Sequence, residues 1–375
     1  MRQRGIKHTP KRASFVTCRT VFVPNRIALY MMTPLPSPEE FKSLLPASAV
    51  DLAAVAEWRK TVVEILSGKD RRLLIIIGPC AIHCAEAALE YASRLRSLAE
   101  ELSDRLFIVM RTYIEKSRSG PGWKGFLYSH PSMQEGLKSS RQLFLSLLRL
   151  GLPTAMEFLG PLTSDYFSDL VTWGCIGART VQSSLHRELA SRLPMPVGMK
   201  NSPDGSIEAA IHGVKAARCG QTCLALNSDG RICTLASPGN RDAHLVLRGG
   251  QFSPNFYLSH VQRAAELLRE AGLPGGIVVD CSHGNSQRRH ESQPAIFHEV
   301  FDEALRGSPV RGLMVESFLL DGRQQDLLAD DLGAEEREKI LYGASSVDGC
   351  LGWEASEALL RSAYAKAIEV SSCVL

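Results

Sequence analysis

Residues 73–80 read LLIIIGPC: five large apolar side chains in a row, a Gly-Pro break and a cysteine. Such a run leaves no polar residue to face water on alternate sides, so the strand it predicts is covered on both faces, as in a parallel sheet. Seven later runs repeat the pattern: FIVMR to Arg111, TAMEF around Glu157, IGAR to Arg179, VGMK to Lys200, AHLVLR to Arg248, GIVVDCSH to His283 and GLMVE to Glu316. Amphipathic stretches such as CAEAALEYASRLRSLAEEL and EGLKSSRQLFLSLLRLG lie between them, which is the rhythm of βα units. Eight such units predict an α/β fold, a (β/α)8 TIM barrel, whose strand ends converge on the face where active sites of that fold sit.

Around the barrel the chain carries extensions. SPEEFKSLL opens with a cap at Ser37 and a first-turn Pro38, and AVAEWRKTVVEILSG follows; these helices are expected to cover the barrel's N-terminal side. TCLALNSDGRICTLASPGN holds two β-rich stretches around Ser228-Asp229-Gly230, read as a hairpin inserted near residues 222–237, between the fifth and sixth strands, or alternatively as a ninth strand. LLDGRQQDLLADDLGAEEREK, after the eighth strand, reads as a charged surface excursion or lid. Residues 37–375 are thus expected to form a single catalytic domain. Residues 1–36 are expected to be a basic leader, partly disordered, with one possible strand in TVFVPNRIALYMM. Seven Lys and Arg and no acid precede Glu39, so a transit peptide, a disordered leader or a start at Met31 or Met32 each fits.

Bulk composition narrows the class. With 375 residues and 45% hydrophobic content, one barrel of roughly 250 residues plus extensions can bury a large core. A net charge of +3 gives no general affinity for nucleic acid. Ten cysteines without framework spacing and no long apolar stretch point to a cytoplasmic protein without a membrane partner.

Four residues at or near the strand ends suit a divalent transition metal: Cys80, His283, Glu316 and Asp348. Thiolate and imidazole favour Mn, Fe, Co or Zn over Mg or Ca, and two carboxylates keep the site fit for an oxygen-bound substrate. Taken singly, each also fits a plain structural role, such as a buried thiol or a helix cap. Arg111, Lys116, Arg118, Arg179, Lys200 and Arg248 would place six cations in the same mouth. Burying like charges costs several kcal/mol each unless anions neutralise them, so two phosphorylated groups, or a phosphate with a carboxylate, are the expected ligands, the alternative being that some of the six, Lys116 and Arg118 above all, are solvated on exposed loops.

The motifs GPCAIH, MRTYIEKSRS, GWKGF, IGART, HRELAS, PVGMKN, LRGG, VDCSHGNS, MVES and VDGCLGWE run in order from Arg71 to Glu354. Together they resemble class I 3-deoxy-D-arabino-heptulosonate 7-phosphate (DAHP) synthases. The resemblance implies a metal-dependent condensation of phosphoenolpyruvate with erythrose 4-phosphate, the first step of the shikimate pathway. It implies Cys80, His283, Glu316 and Asp348 as metal ligands. Arg111, Lys116, Arg179, Lys200 and Arg248 become the phosphoenolpyruvate site, and Arg118 with Ser119 the sugar-phosphate contact. Lys116 is the candidate for proton transfer, on the expectation that a lysine among arginines has a lowered pKa. His186 and Glu157 are candidates for positioning water or the metal ligands. A homodimer or homotetramer is implied. Two alternatives stay open: a paralogue that takes another sugar phosphate, and a non-catalytic barrel.

Departures from the family pattern lie beside these residues. The sugar-phosphate motif reads Lys116-Ser117-Arg118-Ser119 in place of Lys-Pro-Arg-Thr, and Val181 to Ser184 follow IGART in place of Thr-Glu-Ser-Gln. In the region where family members bind an aromatic amino acid, Pro194 replaces a serine, Ser164-Asp165 replaces Pro-Gln, and an acid expected near Asn25 is missing. Pro194 has no N–H to donate. Weak or absent inhibition is therefore expected, with tyrosine the favoured effector.

Overall fold

The computed structural model describes residues 17–23, 26–118, 120, 122–324 and 341–372. An antiparallel pair, β1 (Thr17–Val23) and β2 (Arg26–Met32), comes first, followed by α1 (Pro38–Leu44) and α2 (Ala49–Leu66). Strands and helices then alternate: β3 (Leu73–Gly78), α3 (Ala85–Glu101), β4 (Leu106–Arg111), α4 (Met133–Arg149), β5 (Thr154–Glu157), α5 (Ser164–Phe167), β6 (Trp173–Ile176), α6 (Ser184–Arg192), β7 (Val197–Lys200) and α7 (Glu208–Arg218). An antiparallel hairpin, β8 (Gln221–Leu226) and β9 (Ile232–Ser237), precedes β10 (His244–Leu247), α8 (Leu258–Glu270), β11 (Ile277–Asp280), α9 (Gln293–Leu305) and β12 (Val310–Glu316). The C-terminal helix is α10 (Trp353–Ser372).

Eight parallel strands close into a barrel in the order β10-β11-β12-β3-β4-β5-β6-β7. The last strand pairs with the first, Gly312–Glu316 against Leu74–Gly78. The hairpin lies outside that ring, so the ninth-strand alternative does not hold. The leader's two strands pair only with each other among the described residues, and residues 1–16, 24 and 25 lie outside those residues.

Period-2 alternation explains why LLIIIG carries no polar residue. Leu74 and Ile76 point into the barrel, where they pack with Val109, Ala155, Trp173, Val246, Val278 and Met314. Leu73, Ile75 and Ile77 point outward into the layer between barrel and helices. Trp173 is so large that its neighbour must be glycine. A Cβ on Gly198 would come within 2.6 Å of the indole and 2.5 Å of Val246. At the barrel's N-terminal end, Val62, Ile65 and Leu66 from the last turns of α2 join this inner cluster and close it, as the sequence led one to expect. Both leading helices start with the reciprocal caps their sequences encode: Ser37 Oγ accepts from the Glu40 N–H, and Glu40 Oε2 accepts from the Ser37 N–H. With one end sealed by apolar side chains, the polar ends of the strands are left to build a site at the other.

Candidate active site

Cys80 follows β3 directly after the Gly78-Pro79 break, Glu316 ends β12, and Asp348 stands in the loop before α10. Closure of the barrel brings their ligand atoms within 4.8 Å of one another. Lys116, just beyond β4, donates from Nζ to Cys80 Sγ at 2.9 Å and to Asp348 Oδ2 at 3.3 Å. A thiol and two carboxylates packed this closely need positive charge among them. Burial and Glu316 push the Cys80 thiol well above its ordinary pKa, with Lys116 pulling the other way. The donor set therefore fits a divalent cation, which would stabilise the thiolate and both carboxylates at once.

His283 sits beside this trio. Its Nδ1 lies 2.9 Å from Asp280 Oδ2, and its Nε2 lies 3.7 Å from Glu316 Oε1. A hydrogen bond from Nδ1–H to the Asp280 carboxylate leaves Nε2 as the basic nitrogen turned toward the cluster, the arrangement that orients a metal-binding imidazole.

The cations divide into two layers. Arg111 is buried at the end of β4: its guanidinium meets Glu316 Oε1 at 3.1 Å and lies 4.0 Å from the centre of the Tyr113 ring. Lys200, equally buried at the end of β7, meets Asp280 Oδ2 at 3.0 Å. Arg179, Arg248, Arg118 and Lys116 line an open cavity of about 370 Å³ together with His283 and Asp348.

Two expectations change here. Six cations do not all await external anions, because Arg111 and Lys200 already face carboxylates inside the barrel. Nor is the Lys116 pKa lowered. Burial works in that direction, but Cys80, Asp348 and Glu316 outweigh it and hold the ammonium firmly protonated. The side chains that Lys116 Nζ meets are those of Cys80 and Asp348. Asp348 shows the reverse effect: burial works to raise its pKa, yet Lys116 first, then His283 and Arg288, hold the carboxyl well below its usual range.

Other predicted residues lie apart from the cavity lining. Glu157 ends β5 half-buried, with its carboxylate packed where a side chain on Gly177 would stand. His186 on α6 has both ring nitrogens engaged, Nδ1 with Ser183 Oγ at 3.0 Å and Nε2 with the Leu159 carbonyl at 2.9 Å. Ser119 lies outside the described residues, as do residues 325–340 of the excursion after β12. Ser164 and Asp165, at the start of α5, are tied to α6 by Arg192, which meets Asp165 Oδ1 at 2.6 Å and Ser164 Oγ at 3.3 Å.

Three residues of the site were passed over in the sequence. Asp280 is wholly buried, pairs with Lys200 and orients His283. It ends the run IVVD, so the strand-end rule that selected Glu316 would have selected it too. Arg288 and Arg323 also line the cavity, from irregular loops where no periodic signal marks them.

A closed (β/α)8 barrel with a cation-fit acidic centre and an arginine-lined cavity at its C-terminal face defines a class: barrel enzymes that act on anionic substrates. Comparison with known proteins narrows it. The DAHP synthetase I family model matches residues 47–361, and the chain belongs to that family. It is 41% identical over 337 residues to the phospho-2-dehydro-3-deoxyheptonate aldolase, Tyr-sensitive, of Escherichia coli (strain K12), covering 88% of this chain and 92% of the relative. The Phe-sensitive protein of that strain is 43% identical over 339 residues, 86% of this chain and 94% of the relative. A solved phospho-2-dehydro-3-deoxyheptonate aldolase from Francisella tularensis SCHU S4 superposes with a TM-score of 0.84 at 35% identity, covering 90% of this chain and 98% of that one.

Proposed function

We propose that this chain is a DAHP synthase, condensing phosphoenolpyruvate with erythrose 4-phosphate and water to give 3-deoxy-D-arabino-heptulosonate 7-phosphate and phosphate. The observation that carries the reading is the junction of the Cys80, Glu316 and Asp348 cluster with Lys116 and the arginine-lined cavity. In this proposal Cys80, His283, Glu316 and Asp348 hold one divalent ion, Mn, Fe, Co or Zn. When bound, that ion supplies Lewis acidity toward the aldehyde oxygen of the sugar. Arg179 and Arg248 bind the phosphate and carboxylate of phosphoenolpyruvate, above the buried Arg111 and Lys200. C3 of phosphoenolpyruvate forms the new bond to the aldehyde carbon, and the protonated Lys116 donates its proton to the aldehyde oxygen. Water adds at C2 and gives up a proton that restores Lys116, and the hemiketal phosphate so formed expels phosphate, its hydroxyl proton leaving with the phosphate, to give the ketone. Arg118 and Ser119 take the sugar phosphate. Glu157 and His186 act at one remove, by fixing the loops after β5 and β6.

The assay is product formation by metal-reconstituted protein from phosphoenolpyruvate with erythrose 4-phosphate, and with arabinose 5-phosphate in its place. Turnover with the four-carbon sugar alone is expected. Turnover with only the other sugar, or with neither, would refute the reading. Lys116→Arg keeps the charge but moves it and donates its proton less readily, so kcat is expected to fall at least about 100-fold. Retention of most turnover would reduce Lys116 to an anion contact.

The relatives named above are Tyr- and Phe-sensitive. For this chain the proposal is weak or absent feedback, with tyrosine the favoured effector. Pro194 lacks a donor, and Ser164 and Asp165 are already engaged by Arg192. Tight, complete inhibition in a tyrosine titration would remove that part. The reading includes one catalytic domain over 37–375, a cytoplasmic setting and a homodimer or homotetramer. Exposed Leu224 and Ile232 on the β8–β9 hairpin support an assembly, and light scattering on purified protein tests it.

A further inference from the structure

The loops after the seventh and eighth strands are where (β/α)8 folds frequently hold a phosphate. Here each of them delivers to the cavity an arginine outside the set just assigned: Arg288 after β11 and Arg323 after β12. Exposed arginines are ordinarily solvated surface charges. Two features separate this pair from that background.

The first is backbone conformation. Among the described residues only His283, Gln287 and Arg288 combine a side chain with positive φ, at 55°, 51° and 62°. All three fall in one turn, closed by a hydrogen bond from the Arg288 N–H to the His283 carbonyl at 2.8 Å. Left-handed backbone disfavours L residues, whose Cβ crowds the following carbonyl as achiral glycine does not, and strain of this kind collects where a site dictates the geometry. The turn makes one unit of His283, beside the Glu316 cluster, and Arg288, at the cavity.

The second is placement. Residues 322–324 are pinned to the loop that carries Asp348, through the Gly322 N–H on the Cys350 carbonyl and the Gln324 N–H on the Ser345 carbonyl, each at 2.8 Å. Arg323 Nη1 reaches the Val347 carbonyl at 3.5 Å. Neither Arg288 nor Arg323 forms an ion pair with another described residue. Both add positive charge to a cavity also lined by Arg118, Arg179 and Arg248, in which Asp348 is the one acid among the lining residues, so the field at its mouth draws in an anion.

We propose that Arg288 and Arg323 form a phosphate clamp at the cavity mouth that, alongside Arg118, receives the terminal phosphate dianion of the aldose phosphate. This rests on the function proposed above. Phosphoenolpyruvate is assigned to cations that reach down to the buried Arg111 and Lys200. An aldehyde held near Cys80, Glu316 and Asp348 leaves the far end of its sugar directed outward, toward the two exposed arginines. Inorganic phosphate, the other product, shares the same chemistry, and the experiment separates the two.

The test uses the full-length, metal-loaded protein and the variants Arg288→Gln, Arg323→Gln and both together. Losing one charge-assisted contact is expected to raise KM for the aldose phosphate about tenfold, and the double substitution more. KM for phosphoenolpyruvate should stay within about twofold, a bound set by the same scale. Arg288→Lys should recover part of the loss. An unchanged KM for the aldose phosphate in the double variant overturns the clamp, as does a rise confined to phosphoenolpyruvate. A change confined to product inhibition by inorganic phosphate also overturns it, by assigning the arginines to the leaving phosphate. Should the wild type form no product, the function fails but the clamp is still read by calorimetry with the aldose phosphate alone. Weaker binding by the double variant than by the wild type upholds it, and equal binding rejects it.

Discussion

His244 is buried and neutral in the barrel's inner wall. Trp173 donates its Nε1–H to His244 Nε2 at 3.1 Å, and with Nε2 so occupied Nδ1 carries the proton, donated to the Asp242 carbonyl at 2.9 Å. A second ring proton would face the indole N–H, so the charged form has no place here. Burial accordingly drives the pKa down from 6.5 to about 4. The unfolded chain then takes up this proton at higher pH than the folded chain does. The stabilisation is full above about pH 6.5 and is lost as pH falls toward 4, amounting to about 3 kcal/mol from this residue. His83, whose ring nitrogens have no hydrogen-bond partner among the described residues, is shifted to about 4 by burial as well and acts in the same sense. Urea midpoints taken near pH 7 and near pH 4.5 should fall steeply for the wild type. They should fall less for His244→Asn, which is weaker at neutral pH but has lost one titrating group. Equal slopes for the two proteins would exonerate His244.

At the scale of elements, the inserted hairpin must return the chain to β10 without disturbing the barrel. Asn240 does this by donating from Nδ2 to the carbonyls of Ala190, Leu193 and Met195, at 3.2, 3.2 and 2.9 Å, at the C-terminal end of α6. Ser237 Oγ adds a bond to the Ser191 carbonyl at 2.7 Å. Asn240→Ala strands these buried acceptors and should cost about 2 to 3 kcal/mol, and Asn240→Asp no less, since a carboxylate cannot donate. Thermal unfolding reads both, and a loss within about 0.5 kcal/mol would show that water replaces the amide. Neither residue is conspicuous in the sequence, although the hairpin itself is. The difference is physical. Strands and helices announce themselves by period, so seven of the eight barrel strands, the α1 cap and the β8–β9 turn could be read from local pattern, whereas the fourth, Trp173–Ile176, shares only Ile176 with the run IGAR read for it. Pairings across the barrel leave no local trace: that Glu316 neutralises Arg111, or that Lys116 faces a thiol and a carboxylate instead of arginines, follows only from ring closure. Asp280 is the exception, legible at a strand end but hidden by the more familiar chemistry of the histidine after it.

For the molecule as a whole, the barrel's closure and the metal-fit cluster are one event. Cys80 stands at the end of the first barrel strand, Glu316 at the end of the last, and Asp348 beyond it, with Cys80 and Asp348 separated by 268 residues in the chain. Lys116 bridges Cys80 and Asp348, whose side chains also meet directly at 3.5 Å, and the strand pair β12–β3 is the seam where the ring is sewn shut. An ion bound by these groups in the folded state has no equivalent site in the unfolded chain. It therefore stabilises the fold by mass action, by about 2.7 kcal/mol at a free concentration 100 times its dissociation constant. Because its ligands straddle the seam, that increment falls on the global transition and not on a fraying loop. Protein stripped with a chelator is expected to unfold several degrees lower than the same protein with Mn added. Cys80→Ser should abolish the difference while keeping the metal-free protein folded. Identical melting curves with and without Mn in the wild type would separate the cluster from the stability of the barrel, and an undiminished shift in Cys80→Ser would place the ion on other ligands.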